Sequence, residues 1–272
     1  METLHLHLIS DATGETVGKL ARACIVQFPS VEPKEHVWNL VRTKSELSKV
    51  IKEVKKKPGL VLYTVMNRQL QQHLEKTCID LDIPCLSALD PIITAMSKFF
   101  GLKSQRKPGH QHILDAQYFH RIEAMNYVLA HDDGQSVADL DKADVILVGV
   151  SRTSKTPTCL YLANRGISAA NVPLVPGYPL PPELFKVKAP LIIGMTKNPK
   201  HLALVRKNRL DVLNQDQETD YADIETVHKE IVNAQKIFTR YRWPVIDGTR
   251  KSIEEIATIV LQHHTQRREG NP

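Results

Sequence analysis

The amino-acid sequence predicts an α/β protein built from two parallel sheets that are covered by helices. Apolar runs of strand length alternate with segments of helical period almost from end to end. Strands that are separated by helices lie parallel in one sheet, because each crossover helix returns the chain to the same end. A polar stretch at residues 103–112, which contains Pro108 and Gly109, interrupts the alternation. We therefore expect an N-terminal α/β domain over residues 1–104 and a second α/β domain over residues 105–272.

In the N-terminal domain, four apolar runs have the length of buried strands. They cover residues 4–9, 36–41, 60–65 and 83–86. Each run precedes a segment with apolar residues at helical spacing, and these predicted helices cover residues 15–28, 45–56, 68–81 and 91–100. Pro91 favours the start of the last helix, because a proline at the first helical position loses no hydrogen bond.

The second domain repeats this alternation. Its predicted strands cover residues 143–150, 171–175, 191–195 and 244–246. Its predicted helices cover residues 115–130, 158–164, 200–207, 223–238 and 252–263. Ser252, followed three residues later by Glu255, is a capping-box pattern that predicts the start of the last helix.

The composition is that of a folded globular protein, with 42% hydrophobic and 24% charged residues among 272. The longest apolar runs have strand length, so no segment is expected to cross a membrane. The N-terminus lacks the basic start and apolar core of a signal peptide, which favours a cytoplasmic location. The four cysteines form no C-x-x-C pair and therefore predict neither a zinc site nor a disulfide framework.

The formal net charge of +6 favours anionic partners, namely nucleotides, phosphates or an acidic protein surface. The one dense basic cluster contains Lys103, Arg106 and Lys107. It lacks the interleaved aromatic residues on which nucleic-acid bases stack. We therefore expect no nucleic acid among the partners and interpret this cluster as a solvated linker.

One segment combines a buried strand, a polar loop and the start of a helix in the manner of phosphate-binding loops. It follows residues 145–148 and consists of Gly149, Val150, Ser151, Arg152, Thr153, Ser154, Lys155 and Thr156. Its spacing matches the P-loop pattern G-x-x-x-x-G-K-[ST], except that Ser154 replaces the second glycine. A plain strand–turn–helix is the alternative, although Arg152 adds a cation that such a turn does not need.

Phosphate binding would use this arrangement for physical reasons. The loop aims backbone N–H groups and the positive end of the next helix dipole at a bound phosphate. Lys155 would place a mobile positive charge over the terminal phosphates, and the hydroxyl of Thr156 would hold Mg²⁺. A left-handed backbone at Ser154 would cost on the order of 1 kcal/mol more than at glycine. We therefore expect the second domain to be a P-loop-like nucleotide-binding kinase domain.

Four short segments resemble the pyruvate, phosphate dikinase regulatory protein family, and the resemblance covers most of the chain. They are residues 10–16 (SDATGET), 132–134 (DDG), 143–157 (ADVILVGVSRTSKTP) and 161–163 (YLA). The string GVSRTxKTP is specific to the family, in which glycine is the commoner residue at position 154. Thr153 resembles the branch that acts on the dikinase rather than the branch that acts on phosphoenolpyruvate synthase.

The resemblance implies a bifunctional enzyme. Such proteins phosphorylate an active-site threonine of pyruvate, phosphate dikinase and thereby inactivate it, with ADP rather than ATP as donor. They also remove that phosphate by phosphorolysis, in which inorganic phosphate attacks and pyrophosphate leaves. The dikinase is therefore the expected protein partner, ADP and inorganic phosphate are the expected co-substrates, and a homodimer is left open.

Phosphoryl transfer to a hydroxyl also needs an acceptor for the hydroxyl proton. Asp133 is the predicted acceptor, because it precedes the strand of the loop and matches an aspartate of the D-D-G motif of the family. Asp132 is the second choice, and His131 is expected as a cation at the end of a helix. The alternative for Asp133 is a turn aspartate before Gly134.

A second anion-binding turn is predicted between the first strand and the first helix. Its residues are Ser10, Asp11, Thr13, Gly14 and Thr16. This turn would bind a phosphate group or a loop of the target, whereas capping of the helix by Thr13 or Ser10 is the alternative. Lys19 and Arg42 either assist the turn or lie on a solvated face.

Two other classes of function fit parts of the sequence. An ATP-dependent small-molecule kinase would need an aspartate at the end of an apolar strand to hold Mg²⁺, and Asp247 is a weak candidate. A non-catalytic nucleotide-sensing module would need the loop but not Asp133. The choice of donor distinguishes the first alternative from a regulatory kinase, and a test for phosphoryl transfer distinguishes the second.

Overall fold

The structure is a computed structural model that describes residues 4–106, 116–212 and 220–270. The chain divides into two compact units, residues 1–113 and residues 114–272. The sequence places the boundary between residues 104 and 105. Most of the predicted junction, residues 107–112, lies outside the described residues.

The first unit contains a parallel sheet with the strand order β2-β1-β3-β4. Its strands are β1 (His5–Ser10), β2 (Lys34–Trp38), β3 (Leu60–Thr64) and β4 (Cys85–Ser87). Its helices are α1 (Glu15–Ile25), α2 (Lys44–Lys56), α3 (Arg68–Asp80) and α4 (Asp90–Phe100). Successive side chains of a strand point to opposite faces, so β1 contributes to two apolar clusters. Ile9 packs in one cluster with Leu74 of α3, and Leu8 packs in the other with Val17 of α1.

The second unit has a sheet of the same topology, with the order β6-β5-β7-β8 and every pair parallel. Its strands are β5 (Val145–Val150), β6 (Ala169–Leu174), β7 (Leu191–Thr196) and β8 (Val245–Asp247). Its helices are α5 (Ala116–Ala130), α6 (Lys155–Ala163), α7 (Pro199–Val212), α8 (Ile224–Tyr241) and α9 (Ile253–Arg268). Every residue of β5 is buried, as expected of a central parallel strand with helices on both faces.

The connections of the second sheet locate its binding crevice. The chain passes from β5 to β6 on one side and then crosses β5 to reach β7 on the other side. The loops that follow β5 and β7 diverge at this point. Open parallel sheets bind ligands at the carboxyl ends of their strands, where the strand order reverses in this way.

The predicted fold class is confirmed, because both units are α/β with parallel sheets. The predicted capping box is also confirmed: Ser252 Oγ accepts from the N–H of Glu255 at 3.2 Å, and Glu255 Oε2 accepts from the N–H of Ser252 at 2.7 Å. In the part of the chain that the structure describes, no helix is both long enough and apolar enough to cross a bilayer.

Several predicted boundaries were wrong. Helix α1 ends at Ile25 rather than at residue 28, and strand β2 covers Lys34–Trp38 rather than residues 36–41. Helix α7 extends to Val212 rather than to residue 207, and α8 extends to Tyr241 rather than to residue 238.

Helix α6 begins at Lys155 rather than at residue 158, since Pro157 lies in the first turn, where a backbone N–H has no intrahelical acceptor. Helix α9 continues to Arg268 rather than ending at residue 263. Its last turn is held by Arg267, which donates to the carbonyl oxygens of Lys188 at 2.7 Å and Pro190 at 2.9 Å.

Candidate active site

The predicted phosphate-binding loop connects β5 to α6. Arg152 has a φ of 71° and Ser154, the N-cap of α6, has a φ of 73°, so both residues are left-handed. Left-handed residues within such a loop turn successive N–H groups toward one concave side, which suits an anion. Gly149 is required at the end of β5, because a Cβ atom there would lie 2.5 Å from the carbonyl oxygen of Met195 in β7.

Lys155 lies in the first turn of α6 and is buried. Its Nζ donates to the carbonyl oxygen of Val150 at 3.0 Å. The ammonium group is therefore held against the backbone of the loop rather than free to move over a bound phosphate. Burial lowers the pKa of Lys155 to about 8, and the nearby carboxylates of Asp133 and Asp132 oppose this shift. The mobile charge that the sequence predicts is therefore a buried cation, and one of its three N–H donors is already in use.

Thr156, Asp132 and Asn171 form a hydrogen-bonded group next to the loop. The hydroxyl of Thr156 donates to Asp132 Oδ1 at 2.9 Å. Asn171, a buried residue of β6, places Nδ2 at 2.6 Å from Asp132 Oδ1 and at 2.9 Å from Thr156 Oγ1. The same Nδ2 lies 3.2 Å from Asp133 Oδ1, so a single amide contacts both aspartates.

The two aspartates follow α5 in a short turn over Asp132–Gly134. Asp133 is left-handed, with a φ of 48°, which Asp tolerates better than most residues. His131 lies at the end of α5 as predicted, and its Nδ1 donates to the carbonyl oxygen of Tyr127 at 2.9 Å. The imidazole is buried and stacked on the ring of Tyr127 at 3.9 Å, so it does not project into solvent.

A cavity of about 520 Å³ opens at the carboxyl ends of these strands. Its polar lining residues are Asp133, Ser151, Arg152, Ser154, Lys155, Thr156 and Lys197. The remaining residues of the predicted loop, Gly149, Val150 and Thr153, are buried, and Thr153 Oγ1 donates to the carbonyl oxygen of Val150 at 2.9 Å. The structure therefore brings Asp133 to the same cavity as the loop.

Arg206 of α7 anchors the loop at Ser151, the first residue after β5. Its buried guanidinium group donates to the carbonyl oxygen of Ser151 at 3.3 and 3.4 Å and to the carbonyl oxygen of Tyr221 at 2.9 Å. Two further donors bind the carboxylate of Glu230 in α8 at 2.6 and 3.1 Å. Tyr221 and Ser151 also join through their hydroxyl oxygens at 3.0 Å. The loop is thus tied to two helices.

The second predicted turn lies in the first unit, at the carboxyl end of β1. The N-cap of α1 is Gly14, with a φ of 78°, rather than Thr13 or Ser10. Ser10 Oγ accepts from the N–H of Ala12 at 3.1 Å. The buried carboxylate of Asp11 accepts from the N–H of Met66 at 2.5 Å, and burial raises the pKa of Asp11.

The two basic residues that could assist this turn differ in position. Arg42 Nε donates to the carbonyl oxygen of Asp11 at 2.8 Å and therefore contacts the turn. Lys19 forms an exposed ion pair with Glu15 at 2.5 Å, as a solvated surface residue would. Anion binding at Ser10, Asp11, Thr13, Gly14 and Thr16 stays a prediction.

Three residues of the site are not among those that the sequence predicts. Asn171 is a polar residue within the apolar run of β6, and that position is the signal that could have identified it. Lys197 is a basic residue directly after the apolar run of β7, and that position is its signal, although only the pairing of β7 with β5 shows that it reaches the loop. Arg206 carries no comparable signal, because it is one of several basic residues in α7 and resembles the exposed Lys207 beside it. Asp247, the candidate of the ATP-kinase alternative, does not line the cavity and accepts hydrogen bonds from Thr249.

Comparison with known proteins identifies the family. The sequence pattern of the kinase/pyrophosphorylase family matches residues 6–261. A relative from Paramagnetospirillum magneticum is 52% identical over 96% of this chain and 84% of its own length. A relative from Caulobacter vibrioides is 51% identical over 94% and 82%, and one from Rhizorhabdus wittichii is 48% identical over 96% and 95%. Their names assign all three as pyruvate, phosphate dikinase regulatory proteins. The chain belongs to the kinase/pyrophosphorylase family.

Proposed function

We propose that this protein regulates pyruvate, phosphate dikinase by phosphorylating a threonine in its active site with ADP, and that it reverses this step by phosphorolysis. The names of its relatives support the regulatory role and the target. The family supports a kinase-type transferase. The observation that carries the proposal is that Asp133 and Lys155 line one cavity at the carboxyl end of β5.

In this proposal the loop and α6 bind the phosphate chain of ADP. The left-handed residues Arg152 and Ser154 shape the loop, and the first N–H groups of α6 have no intrahelical acceptors. The helix dipole adds favourable potential for an anion at the same end. Lys155 supplies a positive charge from the first turn of α6. Two of its N–H donors remain for a phosphate after its bond to the carbonyl oxygen of Val150.

Asp133 then has the position of a proton acceptor. The hydroxyl oxygen of the target threonine attacks the β-phosphorus of ADP, the bond between the α- and β-phosphates breaks, and AMP leaves. The hydroxyl proton passes to the Asp133 carboxylate. Asn171 donates to Asp133 at 3.2 Å and holds it beside the loop. In the second reaction, which removes the phosphate, an oxygen of inorganic phosphate attacks the phosphorus of the phosphothreonine. The bond from that phosphorus to the threonine oxygen breaks, the threonine oxygen takes up a proton, and pyrophosphate is released.

A magnesium ion bound to the phosphate chain fits the oxygen donors at this site. Mg²⁺ prefers hard oxygen ligands and commonly uses one or two carboxylates together with substrate phosphates. The hydroxyl of Thr156 and the carboxylate of Asp132, which contact each other at 2.9 Å, are the residues that would hold it. Such an ion would neutralise charge on the phosphate oxygens.

The test is an isotope experiment with purified dikinase. The protein is incubated with the dikinase and ADP that carries a radiolabel on either its α- or its β-phosphate, beside a parallel reaction with ATP. We expect label on the threonine only from the β-labelled ADP. Inorganic phosphate, added after removal of nucleotide, should release that label as pyrophosphate. Transfer from ATP alone would indicate a conventional kinase, and ADP binding without transfer would indicate a nucleotide sensor.

A further inference from the structure

Lys197 lines the same cavity as Asp133 and Lys155 but reaches it from another strand. It is the first residue after β7, and β7 lies beside β5 on the side opposite β6. The loops after β5 and β7 diverge at the point where the strand order reverses. A ligand in this crevice would therefore have the phosphate-binding loop on one wall and Lys197 on another.

The ammonium group of Lys197 has no fixed partner among the residues that the structure describes, because it makes neither a hydrogen bond nor an ion pair there. This contrasts with Lys155, whose Nζ is held by the carbonyl oxygen of Val150. The side chain of Lys197 is half-buried. Its stem lies close to Gly248, since a Cβ atom added to that glycine would be 3.6 Å from Cε of Lys197. Burial lowers the pKa of Lys197, and the Asp247 carboxylate opposes that shift.

We propose that Lys197 is a second phosphate-binding cation of this site and contacts the phosphoryl group that is transferred. This inference rests on the proposed function for the identity of that group. A half-buried lysine without a hydrogen-bonded or ion-paired partner keeps a strong charge that is only partly solvated, and a phosphate would satisfy it. Lys155 and Lys197 would then lie on two sides of the phosphoryl group, whose equatorial oxygens carry the charge during transfer.

A purely structural role for Lys197 is the competing explanation. In that case its charge would serve only to balance Asp247 at the end of β8. Replacing Lys197 would then change the stability of the protein and leave its affinity for phosphate groups unaltered. The two roles thus differ in a binding measurement that does not depend on catalysis.

The experiment compares Lys197→Met with Lys197→Arg and with the control Lys200→Met, which removes an exposed lysine from the start of α7. Calorimetry measures the affinities for ADP, pyrophosphate and AMP, and thermal unfolding measures stability. For Lys197→Met we expect roughly ten- to hundredfold weaker binding of ADP and pyrophosphate, and AMP binding within about twofold of the unmodified protein. Lys197→Arg keeps the charge and should recover most of the affinity.

The inference is overturned if Lys197→Met binds ADP and pyrophosphate as tightly as the Lys200→Met control does. It is also overturned if AMP binding weakens as much as ADP binding, since the effect would then not concern the terminal phosphate. Failure of the unmodified protein to transfer phosphate from ADP to the dikinase would refute the proposed function alone. The affinities would still decide the role of Lys197 in that case.

Discussion

The hydroxyl of Thr156 donates a hydrogen bond to Oδ1 of Asp132 at 2.9 Å, which joins the first turn of α6 to the turn before β5. The amide of Asn171 binds the same carboxylate oxygen at 2.6 Å. Oδ1 of Asp132 is thereby engaged by two side chains of the protein, whereas the adjacent Asp133 lines the cavity. This difference is the reason for proposing Asp133 rather than Asp132 as the proton acceptor.

Asp133→Asn should separate transfer from nucleotide binding. We expect phosphoryl transfer to fall by roughly 10²–10⁴, as for a lost general base. ADP affinity should stay the same or rise slightly, because a carboxylate near phosphate oxygens repels them. Asparagine also tolerates the left-handed backbone at this position, so the turn should survive.

The measurements are calorimetric ADP binding and a single-turnover transfer assay on the same preparation. Asp139→Asn is the matched control, since Asp139 forms an exposed ion pair with Lys142 and does not line the cavity. A parallel loss of ADP binding and transfer in Asp133→Asn would assign Asp133 a structural role.

Lys155→Met should weaken both the phosphorylation of the threonine and the phosphorolysis that removes the phosphate. Removal of one charge-assisted contact to phosphate costs about 1.5–3 kcal/mol of ADP affinity. Methionine fills much of the volume of the buried lysine stem, so the fold should be retained better than with alanine. We expect less than about a tenth of the transfer and phosphorolysis rates. Lys142→Met, at an exposed lysine, is the control, and near-normal rates in Lys155→Met would rule out the loop assignment.

The pKa of Lys155, which burial lowers to about 8, predicts an alkaline limit of ADP binding. A lysine with a lowered pKa is charged at lower pH and becomes neutral as the pH rises through that value. ADP affinity should therefore fall above about pH 8, by up to roughly tenfold per pH unit. Calorimetry between about pH 7 and pH 9.5 measures this slope. Lys155→Met should lack the component of the slope that Lys155 contributes.

The same pKa predicts the effect of pH on stability. An unfolded lysine stays protonated up to about pH 10.4, so the unfolded chain binds more protons than the folded one between about pH 8 and 10.4. The contribution of Lys155 to the free energy of unfolding should thus rise with pH in that window. Denaturant titrations of the unmodified protein and of Lys155→Met, compared across the window, isolate this contribution. A difference between the two proteins that is independent of pH would contradict it.

Ser154→Gly should be tolerated and mildly stabilising. The N-cap position of α6 has a φ of 73°, and glycine adopts this conformation without the steric cost of a side chain. We expect a gain of up to about 1 kcal/mol in the free energy of unfolding and unchanged transfer. Ser154→Ala is the comparison, because it also lacks the hydroxyl but keeps the Cβ atom. Large losses of transfer in both variants would indicate that the Ser154 hydroxyl takes part in the chemistry.

The sequence could predict what depends on local periodicity and spacing. The two parallel sheets, the capping box at Ser252 and the loop between β5 and α6 all follow from patterns within a few residues. The burial of Lys155 could not be predicted, because it depends on how the side chain packs against the backbone of the loop between β5 and α6. The contact of Asn171 with both aspartates depends on the pairing of β6 with β5, which brings distant segments together.

Arg206→Met tests whether the anchor of the loop acts on binding as well as on folding. The substitution leaves the mostly buried carboxylate of Glu230 without its cation, which typically costs about 3–5 kcal/mol of stability. It also removes the donors to the carbonyl oxygen of Ser151. The single variant therefore confounds the two effects.

The double variant Arg206→Met with Glu230→Leu removes both charges of the pair. Replacement of a buried ion pair by apolar residues is often neutral for stability, so this variant should recover most of the loss in unfolding free energy. The hydrogen bonds to Ser151 stay absent, so Ser151 is no longer held by α7. We expect ADP affinity to remain about 1–2 kcal/mol weaker than in the unmodified protein, in line with the loss of a buried hydrogen-bonding contact. Denaturant titration and calorimetry on the single and double variants provide the comparison. If the double variant regained both stability and full ADP affinity, Arg206 would act through folding alone and the loop would hold its shape without it.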